Sequence, residues 1–270
     1  MRPTPSGHAE DDLLAVLRVL AERAGKIALA YYAETGEIAV REKADDSPVT
    51  EADVATEEFL LEALGKLTPD IPVVSEEASE MAGGTPQIDA ERPFWLVDPL
   101  DGTREFISRN GEFTVNVALI EGRRPVAGVV HAPALAMTWT GGTGEGGRPQ
   151  AYFNETDRPL TLVSARPVPP EGETVVASRR HGSGARFEDF LAGRKIAGRV
   201  TAGSSLKFCL IATGKADLYP RFGRTMEWDT AAGQAVLEAA GGRVQTLDGT
   251  PLAYGKPGFA NPDFVACGLG

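Results

Sequence analysis

The stretch Trp95-Leu96-Val97-Asp98-Pro99-Leu100-Asp101-Gly102-Thr103 sets two carboxylates three positions apart at the end of an apolar run. Phe94–Val97 reads as a buried strand that delivers Asp98 to the edge of a sheet. Pro99 then breaks the hydrogen-bond ladder and turns the chain, so that Asp101 returns to the same pocket. Carboxylates this close repel and raise a pKa unless a cation sits between them. Gly102 lets main chain approach a ligand, and a helix starting near Thr103 would turn its amides toward an anion. Carboxylates for a hard cation beside amides for phosphate is the composition of a Mg²⁺-dependent phosphoryl-transfer site. An ordinary Asp-Pro turn with a solvated Asp would look the same in the hexapeptide alone.

Three other segments place acids where an element begins or ends. Glu76-Glu77 follows the short apolar run Ile71–Val74, a position that also suits a solvated helix start. Asp229 follows Trp228 and heads an Ala/Gly-rich helix, where an N-capping carboxylate still has a free oxygen for a metal. Asp46 lies in the polar loop Asp46-Ser47-Pro48-Val49-Thr50, which by itself reads as a turn and a cap.

The elements that must position these acids follow from spacing. Leu13, Leu17, Leu20, Ala24, Ile27 and Tyr31 mark one apolar helix face. A short strand is expected at Glu37–Arg41. Thr50-Glu51-Ala52-Asp53 has the capping-box pattern and opens a second helix with Phe59, Leu60, Leu64 and Leu67 inward. Phe113–Ile120 and Val126–His131 read as successive strands turning at Glu121-Gly122, and the glycine-rich Gly141–Gly147 as a turn. Thr174–Ser178 and Ala216–Pro220 read as strands. Helices are expected at Ala185–Leu191, from a Ser204-Ser205 cap to Ile211, and from Asp229 to Ala240, closed by Gly241-Gly242. The mixture predicts a layered α/β (α+β) fold, with a subdomain boundary near Thr161–Pro170 that divides the chain into 1–160 and 161–270.

Composition narrows the classes. The 270 residues hold 27 Lys and Arg against 38 Asp and Glu, a net charge of −11, which argues against a nucleic-acid polymer as partner. Two cysteines, Cys209 and Cys267, exclude a disulfide framework or a cysteine-rich zinc site, and His8, His131 and His181 lie far apart. His131 reads as structural. No apolar run reaches the length of a signal peptide or a membrane span, so a cytoplasmic protein is expected, with peripheral attachment to the inner membrane face left open.

Taken together the segments resemble the lithium-sensitive, magnesium-dependent phosphatases of the inositol monophosphatase and fructose-1,6-bisphosphatase superfamily. Trp95–Phe106 is similar to that family's first signature and Trp228–Gly242 to its second, while Asp46-x-x-Val49-Thr50-x-x-Asp53 and Ser75-Glu76-Glu77 match two accessory motifs. Arg104-Glu105-Phe106, Arg109–Asn116, Gly203–Cys209 and Tyr219–Gly223 resemble the bacterial 3′(2′),5′-bisphosphate nucleotidase branch of sulfate assimilation. Arg104 stands where that branch usually has Lys, and Arg224 where it often has Pro.

The resemblance implies an alternating αβαβα sandwich and hydrolysis of adenosine 3′,5′-bisphosphate to AMP and phosphate. An inositol-1-monophosphate phosphatase is the alternative within the class, and a non-catalytic nucleotide or metal sensor the alternative outside it. It also implies one Mg²⁺ on Glu76, Asp98 and the Leu100 carbonyl, a second on Asp98, Asp101 and Asp229, and a third, weaker ion near Glu76. Water activated at the metals and oriented by Asp46, the Thr103 hydroxyl and Glu76 would attack phosphorus. Gly102, Thr103, Ser205, Lys207, Arg221 and Asp229 would contact a small-molecule substrate. Tyr219 and Phe222 are expected in the core rather than stacked on a base. The expected state is a monomer or homodimer.

Overall fold

The computed structural model describes residues 12–33, 40–42, 48–143, 147–179 and 184–269. In chain order the elements begin with α1 (Asp12–Tyr32), β1 (Val40–Glu42), β2 (Pro48–Thr50), α2 (Glu51–Leu67), β3 (Val73–Ser75) and α3 (Glu76–Met81). There follow β4 (Phe94–Asp101), α4 (Thr103–Ile107), β5 (Thr114–Glu121), β6 (Arg124–Ala132), β7 (Met137–Thr143), β8 (Pro149–Glu155) and β9 (Thr161–Val163). The remainder is β10 (Glu173–Ala177), α5 (Ala185–Leu191), β11 (Ile196–Thr201), α6 (Leu206–Ala212), β12 (Leu218–Arg221), α7 (Trp228–Ala239), β13 (Arg243–Thr246) and β14 (Phe264–Cys267).

Seven strands form one sheet in the order β3-β4-β5-β6-β7-β8-β9, and five form a second in the order β11-β10-β12-β14-β13. Each sheet is apolar on both faces, which requires a layer on either side. On one face of the larger sheet, Leu14, Leu17 and Ala21 of α1 and Leu60 and Leu64 of α2 pack on Trp95, Val97 and Val117. Between the sheets, α6 and α7 bury Phe208, Ile211, Ala232 and Val236 against residues of both. On the outer face of the smaller sheet, Phe187 and Leu191 of α5 meet Val175 and Leu218. The layers therefore run αβαβα, as expected.

Several local readings change in the fold. The buried stripe of α1 is Leu14, Leu17, Ala21, Ala24 and Ala28, turned from the leucine-rich line toward the small residues. The reason is close approach: a Cβ on Gly25 would lie 2.5 Å from the ring of His131 on β6. The inner face of α2 carries Asp53, Thr56 and Glu57, while Phe59 is only half-buried and Leu67 is exposed. Polar residues face inward there because the first turns of α2 look onto the acidic site. Strand β4 does not stop at Pro99. It continues to Asp101 through a bulge, with Asp98 opposite Asn116 and Asp101 opposite Thr114. Gly141 and Gly142 are strand positions of β7 with no room for side chains: a Cβ on Gly141 would meet Val236 Cα of α7 at 2.5 Å, and one on Gly142 the Val126 carbonyl at 2.6 Å. Strands β8, β9, β11, β13 and β14 carry no clear local alternation and are defined by their neighbours.

His131 is buried, with Nδ1 2.8 Å from Thr138 Oγ1. Burial pulls its pKa down to about 4, so at neutral pH it is an uncharged structural residue.

Glycine substitutions test the packing. Gly141→Ala is expected to cost about 1–3 kcal/mol, because the added methyl meets helix backbone that cannot give way. Gly65→Ala, in α2 with nothing within 4 Å of the added Cβ, is expected to gain about 0.5–1 kcal/mol. Urea unfolding midpoints of the two variants should move in opposite directions.

Candidate active site

The topology explains how distant acids meet. Strands β3 and β4 are parallel neighbours with Ser75 opposite Val97, so Glu76, just past the end of β3, and Asp98, at the start of the β4 bulge, lie side by side. Asp229 arrives from the first turn of α7, which packs on the same sheet. Carboxylate oxygens of Glu76, Asp98 and Asp229 lie within 4.8 Å of one another. Asp101 is outside that group of three, yet its charge acts on it. Burial first, then Asp101 and Glu76, push the Asp229 carboxyl well above its ordinary range.

Local contacts hold each acid. Asp98 Oδ1 accepts from the Leu100 amide at 3.1 Å, across the bulge. Asp229 Oδ2 accepts from the Met226 amide at 2.8 Å, and the helix begins at Trp228, so Asp229 is its second residue rather than its cap. Asp101 Oδ2 accepts from Ser204 Oγ at 2.7 Å, Ser205 Oγ at 3.2 Å and Asn116 Nδ2 at 3.4 Å. The donor set is all carboxylate oxygen and comes from three elements, α3, β4 and α7. That chemistry fits a hard divalent cation such as Mg²⁺.

Asp53 is an acid that the sequence placed in a capping box and an accessory motif, without a role in the site. It is buried, and Oδ2 accepts from the Thr50 amide at 2.8 Å and the Thr50 hydroxyl at 2.5 Å. Its other oxygen, Oδ1, lies 3.2 Å from the Thr103 hydroxyl that donates to it. The capping box is real, and it hides a second use: one oxygen caps α2 while the other orients Thr103 at the start of α4. Asp46 lies outside the described residues, and among those described Asp53 is the carboxylate seen on Thr103.

Two cavities meet at these groups. The smaller, about 280 Å³, is lined by Asp101, Gly102, Lys207, Tyr219 and Arg221 among others. The larger, about 850 Å³, is lined by Glu76, Ser79, Arg224 and Trp228 among others. Arg104, Thr225 and Asp229 belong to both. Gly102 precedes α4 with φ +93°, a conformation glycine takes freely. Arg221 reaches the Arg224 carbonyl at 3.1 Å.

Lys207 is buried, donates to the carbonyls of Ser204 and Ala202, and lies over the Tyr219 ring. Burial pulls it down to about 8, against the pull of Asp101. Ser205 does not line either cavity. Its side chain makes no helix cap and instead donates to the Asp229 carbonyl at 2.9 Å, under Asp101. Tyr219 packs edge-on to Phe208 and Phe264, and Phe222 packs on Phe190, so both rings are used in the core.

The crowding has a stability consequence. An acid whose pKa is raised by folding costs stability as pH climbs from its unfolded value past its folded one. In metal-free protein at neutral pH, Asp229→Asn is therefore expected to melt at a higher temperature than the wild type. The amide oxygen can still accept from Met226. The gap should close as pH falls toward 4. Added Mg²⁺ should raise the wild-type midpoint and leave the variant nearly unmoved. Thermal melts in chelator and in Mg²⁺ measure both.

The chain matches the model of the inositol monophosphatase family over residues 9–264. It is 44% identical over 246 residues to the 3′(2′),5′-bisphosphate nucleotidase CysQ of Escherichia coli K12, covering 91% of this chain and 95% of that protein. CysQ of Haemophilus influenzae is 33% identical over 268 residues, covering 96% of this chain and 93% of that protein. Among solved structures, CysQ from Bacteroides thetaiotaomicron matches with a TM-score of 0.74 and 35% identity, covering 96% and 97% of the two chains. An inositol monophosphatase from Anabaena matches with a TM-score of 0.71 and 25% identity, covering 95% and 90%. Shared layers, the acids at the strand ends and similarity along nearly the whole length lead to one conclusion: this chain belongs to the inositol monophosphatase family.

Proposed function

We propose that the protein is a Mg²⁺-dependent 3′(2′),5′-bisphosphate nucleotidase that removes the 3′-phosphate of adenosine 3′,5′-bisphosphate, giving AMP and phosphate. The observation that carries this reading is the meeting of Glu76, Asp98 and Asp229 where two cavities join whose walls also carry Arg104, Lys207, Arg221 and Arg224. The CysQ relatives, alike over nearly the full length, supply the substrate class.

Glu76, Asp98 and the Leu100 carbonyl would hold one Mg²⁺, and Asp98, Asp101 and Asp229 a second, with a third, weaker ion near Glu76. When bound, these ions neutralise phosphate charge and make water a stronger nucleophile. The chain's own groups do the rest. Thr103, with its proton given to Asp53, turns an oxygen lone pair toward water and fixes where that water sits. Asp53 stays an acceptor because the amide and hydroxyl of Thr50 hold its other oxygen. The amides of Gly102 and Thr103 would steady phosphate oxygens. Arg104, Lys207 and Arg221 bring positive charge to the wall of the smaller cavity in a protein of net charge −11, where it would meet the two phosphate groups of the substrate at short range. We read residues 1–160 as the subdomain supplying most ion ligands and 161–270 as the one supplying Asp229 and the substrate side. We place the enzyme in the cytoplasm. Among the described residues, no helix is long and apolar enough to cross a membrane.

The test is phosphate release from a panel holding adenosine 3′,5′-bisphosphate, the 2′,5′ isomer, AMP and inositol 1-phosphate, with and without Mg²⁺. The nucleotide bisphosphates should turn over fastest and only with the ion. Faster release from inositol 1-phosphate would replace the nucleotide assignment, and binding without release would indicate a sensor. Asp53→Asn should lower kcat about 10²–10⁴-fold with little change in KM. Asp46→Asn, run beside it, shows which carboxylate orients the water.

A further inference from the structure

Asp101 is held by a turn whose conformation needs a cause. Ser204 has φ +51°, in the left-handed region that serine seldom occupies. From there its hydroxyl donates to Asp101 Oδ2 at 2.7 Å and also touches the Thr114 hydroxyl. The turn is gripped from two sides. On one, Arg179 pairs with Glu112 through both guanidinium nitrogens, and Glu112 Oε2 accepts from the Gly203 amide at 2.7 Å. On the other, the ammonium of Lys207 binds the Ser204 carbonyl and reaches the Ala202 carbonyl at 3.5 Å. Lys207 is 6% exposed, so its charge is directed at main chain more than at the cavity. Among the described residues, Asp101 Oδ1 makes no hydrogen bond, which leaves it as the oxygen able to meet a cation.

We infer that Ser204 and Lys207 are positioning residues for Asp101: Lys207 locks the left-handed turn, and the hydroxyl that the turn presents orients the carboxylate for divalent-ion binding. This deepens the ion reading of the same site and rests on it. It gives Lys207 a task separate from touching substrate, and the two tasks are separable because an orienting role acts before any substrate is present.

The experiment titrates Mn²⁺, an ion of the same oxygen preference, onto substrate-free full-length protein and follows the free ion by electron paramagnetic resonance. Ser204→Gly keeps the left-handed turn and removes only the hydroxyl. Lys207→Met keeps the stem and removes the ammonium. Each should weaken Mn²⁺ binding about 10–100-fold, the usual effect of losing a partner that orients a ligand. The double variant should bind no more weakly than the weaker single one, since both act through one contact. Unchanged affinity in Ser204→Gly overturns the proposal, and that variant decides alone should Lys207→Met not fold. Multiplied losses in the double variant overturn it too, as does a Lys207→Met protein that binds Mn²⁺ normally and shows only a higher KM. A wild type that binds no Mn²⁺ removes the ion reading itself, a different result from a wild type that binds and variants that match it.

Discussion

Like charges forced together are the constraint around which the site is built. Carboxylates of Glu76, Asp98 and Asp229 within 4.8 Å of one another repel by roughly 3 kcal/mol or more per pair at an effective dielectric of 20. Left to itself, a flexible chain would separate them. They stay together because each is held by an element whose other residues are committed to the core: Glu76 follows β3 and Asp98 lies at the bulge of β4, both fixed by strand pairing, and Asp229 lies in the first turn of α7, buried between two sheets. Hydrophobic packing holds the acids at a spacing that protonation of Asp229 or a bound divalent cation would relieve, so the arrangement costs stability where the acids are charged.

The packing that does this is close. Glycines on β6 and β7 let α7 lie directly on the larger sheet, where a single methyl would meet helix atoms at under 3 Å. Around the acids the backbone departs from regular geometry at three places: the bulge between Asp98 and Asp101, the left-handed Gly102, and the left-handed Ser204. Each departure re-aims one group toward the same point. Hydrogen bonds from Thr50, Leu100, Met226 and the two serines then fix carboxylate rotamers that repulsion would otherwise turn outward.

Charge is arranged on two scales. The protein as a whole is acidic, while the walls of the two cavities gather Arg104, Lys207, Arg221 and Arg224. Salt screens the long-range part within about 8–10 Å, so the local cations dominate what an approaching phosphate feels. Arg104 and Arg224, which the sequence reading singled out as departures from the nucleotidase branch it resembles, both lie on the cavity walls.

Much of this was legible in the residues themselves. An apolar strand running into Asp-Pro-Leu-Asp-Gly-Thr, a capping box at Thr50, and an acid at the head of an Ala/Gly-rich helix are local patterns, and local patterns report local backbone. They pointed to most of the helices, the main strands and the acids that cluster at the site. Asp53 shows where such reading stops: its capping role is visible in four residues, but its bond to Thr103 joins positions 50 apart and exists only once α2 lies beside α4. Ser205 looked like a cap and instead donates to the Asp229 carbonyl, because α6 and α7 are neighbours between the sheets. The inward polar face of α2, the strand character of Gly141 and Gly142, and the short strands of the second sheet were likewise settled by what packs against them. Sequence alone determined which groups can do the chemistry; tertiary structure decided which of them share a site, since the contacts that choose among them join segments no local pattern connects.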